Sequence, residues 1–416
     1  MKILIANQAF HPDVVSTAQH AADVATALAQ GGHEVTVLAS RAAYDQPQVR
    51  FAARERWRGI EILRISSLTL SRTVLWKRAA VFASFLLHCA LRMWILPRQD
   101  MVIVLTSPPL LCFLGALLAR FRGARLVLWI MDLNPDEAVA AGCLRYGSIL
   151  ERCLRAMLHF SLRTSERVIV LDRFMFERII AHGVPARKVA IVPPWPHSND
   201  VTYDEVGREI FRRRHQLEGK FVVMYSGNHS PCHPLDTLLE AALHLRSRSD
   251  IAFCFVGGGV EFEKVRQFAS DHALRNIVCL GYQPRWELSA SLSAADLHTV
   301  VMGDAFVGIV HPCKIYNILT IGTPILYVGP EQSPITDVGA RIAEGYPLWP
   351  VRHGDHLGAV SRIAEAAAQG RVVRPPRSSF LRHFSQDRLV LEFIEALPLE
   401  DDSPDLIRTE PHAESV

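Results

Sequence analysis

None of the eight cysteines forms a C-x-x-C pair with another, which removes the usual zinc-ribbon and dithiol redox readings. Several of them lie in apolar runs such as 251–256, as small buried hydrophobes of a reducing compartment do. No clustered metal-ligand motif stands out, so neither a metal nor another cofactor is expected. Charge of one sign is not in large excess: 45 Lys+Arg against 42 Asp+Glu leaves +3, too little to imply a nucleic-acid partner. The uncharged stretch 79–91 is too short to cross a bilayer, which takes roughly 20 apolar residues. The opening apolar run, 3–6, is shorter than a secretory core segment, so a cytosolic protein is expected. It is followed by Asn7-Gln8-Ala9-Phe10, not by the G-x-G-x-x-G turn of a dinucleotide-dependent oxidoreductase.

The sequence is rich in alternating apolar strands and amphipathic helices. With 416 residues, 49% of them hydrophobic, two cores are the default. A strand at 2–6, a helix at 18–30 ended by Gly31-Gly32, and a strand at 34–39 open the chain. This order predicts a parallel, doubly wound sheet. Further strands are expected at 60–65, 101–105, 126–130, 168–171 and 189–192, completing one Rossmann-like domain over 1–200. Prolines 193, 194 and 196 and a polar, charged run then read as an inter-domain connection. A second α/β series follows over 201–377. The fold class is therefore α/β, with two Rossmann-like domains. Ligands of such sheets bind beyond the carboxyl ends of the strands, which places the loop 7–17 at a crevice.

One helical stretch, 71–98, is apolar over most of its circumference. It carries Arg72, Lys77 and Arg78 at one end and Arg92 and Arg98 at the other, with Arg50, Arg54, Arg56, Arg58 and Arg64 upstream. Such a segment suits an anionic membrane surface. It also suits an ordinary core helix of a large domain, as does 110–121.

Chemistry is concentrated after strands. Asp132, Asp136 and Glu137 bunch at the end of 126–130. Asp132 is best placed to face a cleft, while Asp136 and Glu137 suit the first turn of a helix. In the second half, Ser226-Gly227-Asn228 and Gly257-Gly258-Gly259 follow strands, and glycines there allow close backbone approach to a ligand. In the stretch 305–330, a short helix begins near Cys313 with Lys314 in its first turn. The helix dipole disfavours a lysine there, whereas an anion is favoured. Lys314 therefore reads either as a phosphate ligand or as a solvated surface lysine.

These residues in this order, together with Gly32-His33-Glu34, Thr106-Ser107-Pro108-Pro109, Asp132-Leu133-Asn134-Pro135, Pro193-Pro194-Trp195, Leu280-Gly281-Tyr282, Pro312-Cys313-Lys314 and Gly322-Thr323-Pro324, resemble the GT-B glycosyltransferases. More narrowly they resemble retaining family 4, in its WbuB-like bacterial polysaccharide branch. The resemblance spans residue 1 to about 397. It implies two domains facing each other across a cleft, an N-terminal acceptor domain and a C-terminal donor domain. It also implies a helix within 378–399 crossing back to the first domain; an acidic tail, 400–416, reads as disordered.

The resemblance further implies a nucleotide-sugar donor held by Gly227, Asn228, His233, Gly257, Gly258, Gly281, Tyr282, Val310, Lys314 and Asn317. Lys314 would act on the diphosphate and Asp132 on the acceptor hydroxyl, with Ser16 and Thr17 as further acceptor contacts. The acceptor would be a lipid-linked or other glycan, and the enzyme peripheral on the inner face of the cell membrane. The sequence departs from the broader family at Asn228, where an arginine is usual, and at His233, where a lysine is usual. The family's Glu-x7-Glu pair falls here on Ile309 and Asn317. His233 is then expected as a pH-dependent helper. A catalytically silent subunit that binds sugar nucleotide or a partner enzyme is the second reading these losses motivate.

Overall fold

A computed structural model describes residues 1–13, 15–43, 48–66, 75–196, 201–342, 345–370, 380 and 383–399. The tail 400–416, the linker residues 197–200, and Arg72 lie outside them. The first sheet contains β1 (Lys2–Ala6), β2 (Glu34–Ser40), β3 (Arg54–Trp57), β4 (Ile60–Ile65), β5 (Met101–Leu105), β6 (Arg125–Trp129), β7 (Arg167–Val170) and β8 (Val189–Ile191). Their order is β3-β4-β2-β1-β5-β6-β7-β8, parallel except for the antiparallel β3–β4 pair. The central strands β1 and β5 are apolar almost throughout and buried, as strands covered by helices on both faces must be.

The second sheet contains β9 (Phe221–Asn228), β10 (Ile251–Gly258), β11 (Ile277–Leu280), β12 (Leu297–Val301), β13 (Ile325–Val328) and β14 (Leu348–Val351). It runs β11-β10-β9-β12-β13-β14, with each neighbouring pair parallel. Its order reverses direction at β9, and that edge of the sheet is where such folds bind ligands.

Four helices position the site. Helix α1 (Ser16–Gln30) follows β1, α2 (Leu75–Ile95) follows β4, α3 (Leu111–Arg122) follows β5, and α4 (Asp136–Ala140) follows β6. The first begins two residues before the expected start, so Ser16 and Thr17 are helical and not part of a loop. The Ser16 hydroxyl and carbonyl both meet Nδ1 of His20 one turn on, at 3.1 and 2.8 Å, which holds that first turn closed.

The α2 helix divides its apolar surface. Val81, Phe85, Cys89 and Met93 recur every four residues and are buried, whereas Leu87, Leu91, Trp94 and Ile95 are exposed. Trp94 meets the exposed Phe121 of α3 edge-on at 6.3 Å. Among the described residues no helix is long and apolar enough to cross a membrane.

The upstream arginines do not form one free basic patch. Arg64 is buried, bonded to Glu55 at 2.5 Å and donating to the His11 carbonyl at 2.6 Å, and Arg54 pairs with Glu61. Burial of a guanidinium demands such partners, so Arg64 is structural, while Arg54 is exposed and its charge is countered by Glu61. The eight cysteines are free, and Cys143 and Cys153 are exposed, not buried as the composition suggests.

Further helices among the described residues are α5 (Ile149–Thr164), α6 (Arg173–Ala181), α7 (Glu205–Arg214), α8 (Asp236–His244), α9 (Val260–Asp271), α10 (Leu288–Ser293), α11 (Lys314–Ile321), α12 (Pro334–Arg341), α13 (His356–Gln369) and α14 (Gln386–Glu395). The last packs on α1, with Phe393 against Trp129 at 4.3 Å. Just before it, Phe384 rests on Tyr316 of α11 at 5.3 Å. The stretch from Phe384 to Phe393 thus spans from the second sheet's helices to the first sheet.

Candidate active site

The carboxyl ends of β9 and β10 lie side by side, with Gly227 opposite Gly257 and Asn228 opposite Gly258. Gly257 has φ +133°, and a Cβ there would stand 2.1 Å from the Gly227 carbonyl oxygen, so only glycine fits. Tyr282, half exposed after β11, donates its hydroxyl to the Gly258 carbonyl at 3.2 Å. Gly281 beside it is open, with nothing within 4 Å of an added Cβ. Gly227, Asn228, Gly257, Gly258 and Tyr282 therefore form one continuous ledge.

Lys314 reaches this ledge from the first position of α11. A Cβ on Gly227 would sit 3.3 Å from the Lys314 amine. The amine lies 3.5 Å from the centroid of the Tyr225 ring, a cation–π distance. It is enclosed and has no hydrogen-bond partner. Desolvation holds its pKa well below the usual lysine value, because no anion offsets the cost of burying the charge.

Two imidazoles flank the amine. His229 donates from Nδ1 to the Gly227 carbonyl at 2.9 Å, and His233 donates from Nδ1 to the Val301 carbonyl at 2.7 Å. Burial, reinforced by the nearby lysine, lowers them to about 4 and about 3 respectively. His233 thus stays neutral throughout the physiological range, which corrects the expectation of a pH-dependent helper: the site strips its water and sets a cation beside it.

The loop between β12 and α11 fastens the two halves together. The amide of Leu133 donates to the Ile309 carbonyl at 2.9 Å, and Arg178 Nε donates to the Val307 carbonyl at 2.8 Å. Gly308, at φ +72°, comes so close to the Phe174 carbonyl that an added Cβ would lie 2.6 Å from it. Ile309 and Val310 are buried in this contact, so the position where the broader family carries its first glutamate is a packing residue here. Asn317 is half-buried on α11.

Across the junction, Ser16 lies beside Cys313, whose thiol donates to the His311 carbonyl at 3.3 Å. Asp132 follows β6, with its amide and that of Met131 both donating to Thr106 Oγ1 at 3.1 Å. Desolvation, with the neighbouring Glu137 carboxylate adding to it, raises Asp132 to about 8, the range of a general acid or base. Cys313 and the buried Cys232 both lie near Asp132. Ser16, Asp132, Cys313 and the Lys314 helix therefore gather at one junction between the sheets, while Thr17 is half-buried on α1.

Several participants carry no local sequence signal. Asp136 and Glu137 do begin a helix, α4. Glu137 in addition takes the Cys232 thiol of the other half at 3.8 Å and the Asn134 amide at 3.0 Å. Asp172, His311 and Tyr316 form a buried chain: Asp172 Oδ2 to His311 Nδ1 at 2.8 Å, and the Tyr316 hydroxyl to His311 Nε2 at 2.9 Å. Tyr225, under the lysine, belongs in the sequence to the Tyr225-Ser226-Gly227-Asn228 run that carries the resemblance, but no site role is read for it there. Among the described residues no group of three or more His, Cys, Asp or Glu side chains is arranged to hold a metal ion.

Two parallel-sheet lobes with a cationic helix start at their junction define the GT-B class. Sucrose-phosphate synthase of Thermosynechococcus elongatus shares the fold at TM-score 0.71 and 13% identity, over 95% of this chain and 98% of that one. Anabaena HepE, solved in complex with UDP and glucose, shares it at TM-score 0.68 and 14% identity, over 95% and 98%. The glycosyl transferase 4-like domain model matches residues 17–195, and the glycosyl transferases group 1 model matches residues 207–327. WcaI of Escherichia coli (strain K12), named for a colanic acid biosynthesis glycosyl transferase, is 29% identical over 340 residues, 77% of this chain and 82% of that protein. The chain belongs to glycosyltransferase family 4.

Proposed function

We propose that this glycosyltransferase moves a sugar, with retention, from a nucleoside-diphosphate sugar to a lipid-linked acceptor in cell-surface polysaccharide assembly, as in the WbuB-like branch. The carrying observation is the enclosed, unpartnered Lys314 amine above Gly227 at a helix start. A diphosphate arriving there supplies the missing counter-charge, and fixed N–H groups and a cation stabilise it as it departs. Asn228 and Gly258 border the phosphates, Tyr282 and Gly281 the base, and Asn317 the sugar or ribose hydroxyls. A UDP-sugar is favoured because HepE, which shares the fold, is seen with UDP and glucose. Glycan assembly is favoured by the likeness to WcaI.

Attack proceeds on the front face, assisted by the leaving phosphate. Asp132 positions the acceptor hydroxyl and takes its proton when ionised. Lys314 and the helix terminus neutralise the leaving group, so the proposal calls for no metal, and activity persists in a chelator. The enzyme works at the inner face of the cell membrane, which the exposed Leu87, Leu91, Trp94, Ile95 and Phe121 are suited to meet.

Incubation with a panel of nucleotide sugars and membrane lipid extract tests this reading through acceptor-dependent nucleotide release. Lys314→Ala is expected to lower that release about 100-fold or more, the scale of losing one transition-state donor. Unchanged turnover and donor affinity in that variant overturns the proposal. The buried Ile309 in place of the family's first glutamate keeps a second reading in view, a silent subunit. Binding of sugar nucleotide with no turnover across the panel establishes it.

A further inference from the structure

The same Thr106 that holds the Asp132 amide also lines a cavity. This cavity has a volume of about 210 Å³ and is lined mainly by Leu110, Phe113, Leu133, Ala138, Leu154 and Met157. Its lining is almost wholly apolar; Leu110, Phe113, Ala138, Leu154 and Met157 are partly exposed and Pro109 is exposed, so the cavity is open to solvent. Cavities of roughly 150 Å³ lined by aliphatic and aromatic side chains stay dry and accept benzene-sized apolar groups. This one accepts more.

Two further observations indicate that the cavity is built and not a packing defect. Leu110 is held at φ +74°, a conformation that costs a bulky residue of order 1–3 kcal/mol and tends to mark functional positions. Leu150 stands one turn before Leu154 on α5 and is exposed, next to exposed Ile149 and Tyr146. Apolar surface therefore continues from solvent into the cavity and ends beside the backbone of Asp132.

We infer that this cavity is a subsite for the hydrocarbon chain of an amphiphilic acceptor. The chain enters past Leu150 and Leu154 and is buried against Leu110, Phe113 and Met157, leaving the polar head at Asp132. The inference rests on the proposed acceptor reading, and it adds a location and a chemistry for the tail. The tail contributes binding energy remote from the reacting hydroxyl, which holds the head in place for transfer.

Calorimetric titration with methyl, butyl, hexyl and octyl β-D-glucopyranoside below their micelle concentrations, without nucleotide, tests it independently of donor chemistry. Affinity is expected to rise about fourfold per added methylene, the equivalent of about 0.8 kcal/mol per buried CH₂, and to level off once the cavity is filled. Ala138→Trp, which fills the cavity, and Leu154→Glu, which charges it, are each expected to flatten the slope. Trp94→Ser, on the separate exposed patch, is expected to leave it intact. A slope that survives both cavity variants, or that vanishes only in Trp94→Ser, overturns the inference. Should the cavity variants fail to fold, an octyl glucoside bearing a terminal diazirine decides on the unaltered chain. Labelling within 106–113, 133–138 or 154–161 supports the subsite, and labelling confined to α2 and Phe121 overturns it. Loss of donor turnover with the slope retained would count against the glycosyltransfer proposal alone.

Discussion

Asp172, at the start of α6 on the first sheet, and His311, in the loop before α11, share a 2.8 Å hydrogen bond with both side chains nearly fully buried. The bond joins the two halves of the molecule at the base of the Lys314 helix. Asp172 also caps α6 by accepting from the Met175 amide at 2.8 Å, so its carboxylate serves both halves. His311→Leu leaves an Asp172 oxygen and the Tyr316 hydroxyl without their partner. A loss of about 1–3 kcal/mol is expected for each buried polar group so orphaned. Urea unfolding measures it as a lower midpoint, and a midpoint equal to that of the parent chain refutes the account.

Glycine is required at one position of the ledge and not at another. Gly257→Ala combines a positive φ with contact against the Gly227 carbonyl and is expected to cost about 1–3 kcal/mol. It also displaces the β9–β10 ends, so donor binding falls with stability. Gly281→Ala meets nothing within 4 Å and is expected to stay within about 0.5 kcal/mol of the parent. Thermal unfolding of the pair, with titration of UDP, separates them.

Asp132 gives stability a pH dependence whose sign is set by its raised pKa of about 8. Between about pH 4 and 8 the unfolded carboxyl is ionised while the folded one keeps its proton. Its contribution is therefore full below about pH 4 and is lost as the pH rises through 8, by at most about 1.4 kcal/mol per pH unit. Asp132→Asn is expected to remove this fall, read as the difference between the two chains' stability–pH curves. If the proton-accepting role holds, acceptor-dependent turnover of the parent climbs toward pH 8 and that shoulder is absent in the variant.

The exposed apolar face at the ends of α2 and α3 is expected to bind anionic vesicles. Trp94→Ser with Phe121→Ser removes two aromatic side chains, each worth about 1.5–3 kcal/mol when buried, and is expected to lower co-sedimentation at least tenfold. Neutral vesicles and high salt weaken the parent's binding if lipid charge contributes. Equal sedimentation of parent and double variant dismisses this face as the contact.

Most strands were legible because their apolar runs are bounded by turn residues, and the carboxyl-end loops followed from them. The strand Arg54–Trp57 was not: its sequence, RERW, is charged, as an edge strand's can be, and it reads as part of a basic cluster. The same blindness to pairing hid the role of Arg64, since nothing local shows that its guanidinium turns inward to Glu55. The place of Lys314 at a helix start was legible, and conflicts there with the dipole; the enclosure of its amine over Tyr225 was not. The Asp172–His311 bond was not, because its partners stand 139 residues apart and neither belongs to a local pattern. His233 was read as titratable from its type alone, and only its enclosure beside a cation shows that it is not.

Phe384 on Tyr316 and Phe393 on Trp129 make the closing segment a strap across both lobes, and Trp195 of the inter-lobe connection lies 6.1 Å from that same Trp129 ring. Among the described residues, Trp195 and Phe393 therefore meet at a single indole. A change in how the two lobes sit on each other would have to repack Phe393 or Trp195 against the Trp129 ring.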